Sequence, residues 1–524
     1  MKNYITIKNN KTMKNTFNIN LILAIMLMFF TSCSEDFLDK APLDELTVDG
    51  AFNNKADAEL ALNGAYGTMV TNDPHTYRWF YTIVGDMRAD NSHGGPPGTI
   101  TNCELLESLA GDLEPGIWNW YEAYKYSAAA NIILDNVPNI VDPNFSDSER
   151  KNILGQAHFL RAFHYYHLAR QYRDVPLILS QDGDLLPAKS PEADVYAQII
   201  KDAEIAESYL PKEHANRFLT SSRGTKGSAQ ALLAKVYVET GDYTKAAEYA
   251  GKVMDSGVYS LVDTYDHLWD GDHQNTTEAI FELQHVASTM TGTYHPAQML
   301  PPGDLTIHEA DKPGEGVGWA FPRFNVLNHE LIEAFDEMGD SIRKWSSTLT
   351  VTDRSLMSDP PLGFASKTEP VSHTYKNGRH WDGFSGRWNV LLMRYSDIIL
   401  LRAEALNQIG QTAQAVTYLN QVRARVKLAP TTASTKSEVA LAILKERRLE
   451  LAMEGQRFWD LKRYYGEEGL VAYLKGLTDS GGNNLGKNPT SVHQLYLPIP
   501  QRDLDMNPNL VHLVTMARPS RSSI

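Results

Sequence analysis

The sequence predicts a mainly α fold, helical repeats interrupted by a long loop-rich insertion, and three observations predict it. A helix–glycine–helix register occurs twice. Two further long stretches carry apolar residues three and four apart. Between the two registers lies a stretch dense in glycine and proline. The whole chain has 524 residues, 42% hydrophobic and 22% charged, which are ordinary values for a folded globular body. Its formal charge of −15 argues against a nucleic-acid partner, which would need a basic face. Two cysteines, Cys33 and Cys103, allow neither a disulfide framework nor a cysteine-built zinc site.

Taken in order, residues 1–32 read as a lipoprotein signal peptide. Lys2, Lys8, Lys11 and Lys14 precede an unbroken apolar run from Leu21 to Phe30, no acid occurs, and Cys33 stands where cleavage would fall. The run is too short to span a bilayer. Phe30 occupies a place where such sites usually carry Leu, and Met13 is an alternative start. A buried N-terminal helix is the competing reading, but it leaves the basic flank and the acidic Ser34–Asp39 stretch unexplained. Removing residues 1–32, with four lysines and no acid, takes the formal charge from −15 to −19. Residues 33–50 then form a lipid-anchored tether and 51–524 a single domain, with helical repeats over about 51–260 and 390–465 and the insertion over about 265–388.

Gly85 to Gly98, with Asp86, Arg88, Asn91 and His93, reads as an irregular loop. Ile117–Val137 and Ser148–Tyr172 read as amphipathic helices. Around Gly241, Ala231, Ala234 and Tyr237 precede the glycine and Ala246, Tyr249 and Val253 follow it. Around Gly410, Leu400, Ala403 and Leu406 precede and Ala415, Tyr418 and Val422 follow. Each glycine supplies a left-handed cap between paired helices, and the unit resembles the tetratricopeptide helix-turn-helix. The two glycines lie 169 residues apart, so the insertion breaks the tandem order.

Catalytic motifs are missing. Gly314, Gly316 and Gly318 lack the strand, helix and Lys-Ser/Thr pair of a nucleotide loop, and neither a nucleophile elbow nor a zinc-peptidase helix occurs. His164 and His167 could share a metal, yet no third ligand is in view and they read as core or helix-face residues. Asp270-Gly-Asp272-His-Gln274 begins like a calcium loop but departs from it at Gln274 and lacks the glycine that should follow. A glycosidase carboxylate pair cannot be read from spacing, because only separation in space defines it. Glu446, Glu450 and Glu454, four apart among Arg447, Arg448 and Arg457, read as a solvated ion-pair face.

The C-terminal third is more specific. Lys445-Glu-Arg-Arg-Leu-Glu450-Leu-Ala-Met-Glu-Gly455-Gln-Arg-Phe-Trp459-Asp-Leu-Lys-Arg463 resembles the signature helix of the SusD/RagB family, lipoproteins of Bacteroidetes glycan-uptake systems. Tyr496-Leu-Pro-Ile-Pro500, Asn507-Pro-Asn-Leu510, Arg394-Tyr-Ser-Asp397 with Arg402-Ala-Glu-Ala405, and Ala157-His-Phe-Leu-Arg-Ala162 accompany it, so the resemblance spans essentially the whole mature chain. Physically, Gly455 is expected to end a helix, Phe458 and Trp459 to bury, and Pro498 and Pro500 to fix an extended segment. The resemblance implies a tetratricopeptide-like scaffold packed against an irregular lobe, a lipid tether at Cys33 in the outer membrane, and no catalysis and no cofactor. It also implies a SusC-like TonB-dependent transporter as partner and a glycan, or less often a peptide, as ligand. A surface glycoside hydrolase is the alternative from another class.

A sugar binder needs exposed aromatic planes and a few polar side chains. Trp118, Trp120 and Trp459 lie on expected scaffold helices, whereas Trp79, Trp269, Trp319, Trp345, Trp381 and Trp388 lie outside the repeats. Trp319, in the Gly314–Phe321 turn region, is the leading platform candidate. Tyr294 and Trp381 follow, with Arg88, Asn91 and His93 as polar partners from the early loop; loop packing is the competing role for each ring.

Overall fold

Capping fixes where the helices begin. In the computed structural model, which describes residues 51–70, 84–93, 99–106, 114–285, 326–348, 389–478, 482 and 484–510, Asn54, Ser146, Thr225 and Thr435 each close a reciprocal capping box. They start α1 (Lys55–Thr68), α4 (Asp147–Tyr172), α7 (Lys226–Thr240) and α13 (Lys436–Glu450). Between the first two lie α2 (Thr99–Leu105) and α3 (Glu114–Asn136); α5 (Glu192–Tyr209) and α6 (Arg217–Ser222) follow α4. The signal segment, Cys33 and the tether lie outside the described residues.

The expected glycine-hinged hairpins form. Gly241, at φ +81°, ends α7 and turns the chain into α8 (Tyr243–Asp255). Gly410, at φ +82°, does the same between α11 (Tyr395–Gln408) and α12 (Thr412–Arg425). Only a residue without Cβ enters that region freely. The repeated aromatic position is a packing position: Tyr237 and Tyr249 stack with centroids 5.6 Å apart.

Helices pack in series, α3 on α4, α4 on α5, α5 on α7, α7 on α8 and α11 on α12. The break in tandem order is confined to the sequence. In space α8 packs directly on α11, so the stack continues across the insertion. The insertion leaves and returns through strands β2 (Ala279–Leu283) and β4 (Val390–Arg394), which pair antiparallel with Ala279 opposite Arg394 and Leu283 opposite Val390.

The described part of the insertion is more regular than expected. It contains β3 (Val326–Leu327), α9 (His329–Met338) and α10 (Ser341–Ser347). Leu331, Ile332 and Phe335 recur at helical spacing and bury against Leu449, Ala452 and Met453. Residues 286–325 and 349–388 lie outside the description.

The core is aromatic where α4 crosses β2: Phe159 and Phe163 meet Phe281 edge-on at 5.1 and 5.5 Å. His164 and His167 belong to this interior. His164 packs on Tyr126 at 5.0 Å and His167 on Phe163 at 4.7 Å, and burial pulls the His164 pKa down to about 3. Trp120 and Trp459 are buried as expected; the side chain of Trp118 lies outside the description. No described helix is long and apolar enough to cross a membrane.

One expectation is overturned. Glu446 and Glu450 are fully buried and the Glu454 side chain is only 10% exposed, so this face of α13 is not solvated. Arginines from three other elements meet it. Arg343 of α10 reaches Glu446 at 2.7 Å and Glu450 at 2.9 Å. Arg394 of β4 reaches Glu450 and Glu454, both at 2.6 Å, and Arg423 of α12 reaches Glu446 at 2.9 Å. Arg447, on the same helix, pairs instead with Asp397 and Asp460. Acids four apart can point outward to solvent or inward to cations, and the local pattern is the same in both cases. Gly455 also departs from expectation: α13 ends at Glu450, and Gly455, at φ +68°, closes the turn into α14 (Arg457–Lys475). The last described helix is α15 (Gln501–Met506).

Candidate functional site

The early loop is held from inside, by the signature segment. Gly85 lies so close to Gly455 that a Cβ on Gly85 would run into the Gly455 carbonyl. The Asp86 carboxylate accepts the Gly455 N–H at 2.6 Å, and burial raises this carboxyl's pKa well above the usual range. Asp90 is gripped by Arg457, whose Nε and Nη2 donate to its two oxygens at 2.7 and 2.8 Å. The Tyr473 hydroxyl donates to it at 2.7 Å and Arg448 stands 3.6 Å away. Burial alone would raise the Asp90 pKa, but the two guanidinium charges outweigh it and hold the carboxyl below its usual range.

The sequence-derived polar candidates sit on this loop. Arg88 is 0% exposed; its guanidinium lies 4.7 Å over the Phe458 ring and its Nη2 donates to the Gln494 carbonyl at 2.8 Å. Its Nε and Nη1 have no hydrogen-bond partner among the described residues. Asn91 is also 0% exposed, its side-chain oxygen accepting from Arg448 Nε at 2.9 Å and its backbone carbonyl from Asn328 N–H at 2.8 Å. His93 ends β1 (Ser92–His93), and its side chain lies outside the description, as do Trp319, Tyr294 and Trp381.

What the structure does bring together is the backbone of the two regions. Strand β1 pairs antiparallel with β3, Ser92 opposite Leu327 and His93 opposite Val326. The chain entering residues 94–98 and the chain leaving 286–325 therefore start from one strand pair. Sequence reasoning placed candidates on both stretches but missed the device that joins them, because a two-residue strand pair leaves no periodic signal.

A second feature, at the base of the insertion, was also missed. Trp269, Gln274, Glu282 and Asn389 line a small cleft of about 30 Å³ beside the β2–β4 pair. Glu282 accepts from Asn389 Nδ2 at 2.6 Å, and Asn389 Nδ2 also reaches Gln284 Oε1 at 2.8 Å. Burial lifts the Glu282 pKa to about 7 against these hydrogen bonds. Trp269 is 6% exposed, packed in a small cluster with Tyr265, Leu268 and Val426, whereas Trp345 on α10 is 53% exposed. Such amide and carboxyl groups can exchange hydrogen bonds with hydroxyls.

Comparison with known proteins shows what the chain as a whole resembles. Residues 322–514 match the model of the SusD family, and residues 36–238 match a model described as starch-binding, associating with the outer membrane. Among relatives, SusD-like protein P2 of Formosa agariphila is 29% identical over 518 residues, 93% of this chain and 97% of that protein. The starch-binding protein SusD of Bacteroides thetaiotaomicron is 24% identical, covering 95% of this chain and 98% of SusD. Among solved structures, a laminarin-binding SusD-like protein is 25% identical at a TM-score of 0.70, over 88% of this chain and 99% of its own. Surface glycan-binding protein A of Bacteroides uniformis, 21% identical, shares the fold at a TM-score of 0.72 over 87% of this chain and 99% of its own.

Proposed function

The chain belongs to the SusD/RagB family, and from that premise we propose that it is a non-catalytic binding protein of the outer membrane that captures an oligosaccharide and passes it to a TonB-dependent transporter. The observation that carries the reading is the β1–β3 pair, which joins the early loop at Ser92–His93 to the insertion at Val326–Leu327. A ligand platform drawn from two distant stretches needs such a junction. Trp319, Tyr294 and Trp381 are the proposed stacking rings and His93 a proposed polar partner. Arg88 and Asn91, buried beneath it, act through the position they give the loop.

At the insertion base, Glu282 is held by hydrogen bonds from Asn389 and the Asn275 backbone.

Starch and laminarin are the first ligands to test, because the relatives named for binding them cover nearly the same length. The mature chain from Cys33, with that residue replaced to keep it in solution, is titrated calorimetrically with each glycan and with a wider panel, and bound glycans are then assayed for reducing ends. Saturable binding without new reducing ends is expected. Release of product, or binding to none of the panel, would contradict the proposal. For the transporter, copurification of the tagged lipoprotein with a barrel protein from gently solubilised membranes is expected, and a lone monomer would count against it.

A further inference from the structure

The turn that opens the insertion places two imidazoles and a carboxylate together, and nothing in the glycan-binding reading uses them. A 3-10 turn, Tyr265–Leu268, carries His267; Asp270 and His273 follow at three-residue intervals. Their potential ligand atoms all lie within 4.8 Å of one another. The His267 and His273 rings stack nearly parallel, centroids 3.8 Å apart at 13°. His273 Nδ1 is 2.6 Å from Asp270 Oδ2.

The carboxylate is held in place before any ligand arrives. Asp270 is 5% exposed, and its Oδ1 accepts the backbone N–H groups of Asp272 and His273, both at 3.0 Å. Beneath the turn, Tyr265, Leu268 and Trp269 bury with Val426, so the backbone carrying all three groups rests on a packed cluster. The His273 side chain is 51% exposed, which leaves an open route from solvent. Two nitrogens and one carboxylate oxygen form a donor set of borderline softness. Calcium takes six to eight oxygens and magnesium an octahedron rich in water, whereas zinc, nickel and copper accept imidazole readily.

We propose that His267, Asp270 and His273 bind one divalent transition-metal ion of the zinc class at the root of the insertion. Three protein ligands leave a fourth position for water or another donor. His273 also lines the cleft with Trp269 and Glu282, so the ion sits at that cleft's rim and fixes the first turn of the insertion there.

The test uses the purified full-length chain in detergent, with a tag free of histidine and after chelator treatment, titrated with Zn²⁺ against a chromophoric competitor. One equivalent should bind, with His267→Asn and His273→Asn each weakening it at least ~30-fold, as loss of a direct ligand should at minimum match the 10–100-fold effect of a supporting group. Millimolar Ca²⁺ should not displace the ion. A measurement independent of substitution is carbethoxylation followed by peptide mapping: bound Zn²⁺ should slow modification of His267 and His273 at least fivefold. Absence of saturable binding, wild-type affinity in both histidine variants, displacement by Ca²⁺, or unprotected histidines would each overturn the site.

Discussion

Replacing Asp90 by Asn removes one charge and almost no volume, and so isolates what the clamp on the early loop contributes. In the wild type the Arg457 guanidinium, 6% exposed, spends two donors on Asp90; its remaining described acceptor is the Leu444 carbonyl at 3.3 Å. After Asp90→Asn that cation stays buried without a counter-charge. Breaking a buried pair from one side costs about 3–5 kcal/mol. The lower end applies here, since Arg448, 15% exposed, keeps its own bonds to Asn91 and to the Asp90 carbonyl. About 3 kcal/mol is roughly a 150-fold loss in the folding equilibrium. Urea unfolding of the mature chain, followed by circular dichroism at pH 7.5, reads it directly. Arg457→Met added to Asp90→Asn removes the stranded charge and should recover most of the loss, because replacing both partners by neutral groups is often near neutral. A single variant within ~1 kcal/mol of wild type, or a double variant no better than the single, would refute the assignment of Arg457 as the clamp.

Gly85→Ala should destabilise by about 1–3 kcal/mol, as overpacking does, because the new methyl meets the Gly455 backbone rather than a yielding side chain; an unchanged melting temperature would show that the two glycines separate freely. His164 stays neutral in the fold down to about pH 3, whereas the unfolded chain takes up that proton near pH 6.5. Its contribution is therefore flat above pH 7 and turns against the fold as pH drops below 6.5, by up to about 1.4 kcal/mol per unit. Urea midpoints between pH 7.5 and 5 measure this slope, and a slope identical in His164→Gln would contradict it. Cys33→Ala should leave the protein unlipidated and absent from the outer-membrane fraction, and unchanged partition would discard the anchor.

The scaffold was legible because its signals are local. A glycine at positive φ between two amphipathic runs announces a helical hairpin wherever it occurs, and Gly241 and Gly410 both do so. What stayed hidden depends on partners far away in sequence. Glu446 and Glu450 look like surface acids until Arg343 arrives from the insertion and Arg394 from the strand that follows it. Gly455 resembles a helix terminator because the carboxylate it serves, Asp86, lies 369 residues away. The same distance separates the signature segment's composition from its purpose. Arg448, Gly455, Arg457 and Phe458 reach Asp86, Arg88, Asp90 and Asn91, so a motif that reads as helix and core works as a mount for the early loop. Sequence reasoning chose that loop for its polar residues, and the structure shows two of them, Arg88 and Asn91, turned inward.

The central claim is the proposal that glycan is captured on aromatic rings carried by the insertion. The most direct measurement is calorimetric affinity of wild type and Trp319→Ala for the glycan that the panel returns, with melting temperatures taken alongside. Truncating a stacking ring usually costs at least ~1 kcal/mol of binding, so affinity should fall at least severalfold while the melting temperature stays nearly unchanged. Equal affinity, or a large drop in melting temperature, would contradict the claim by making Trp319 a packing residue.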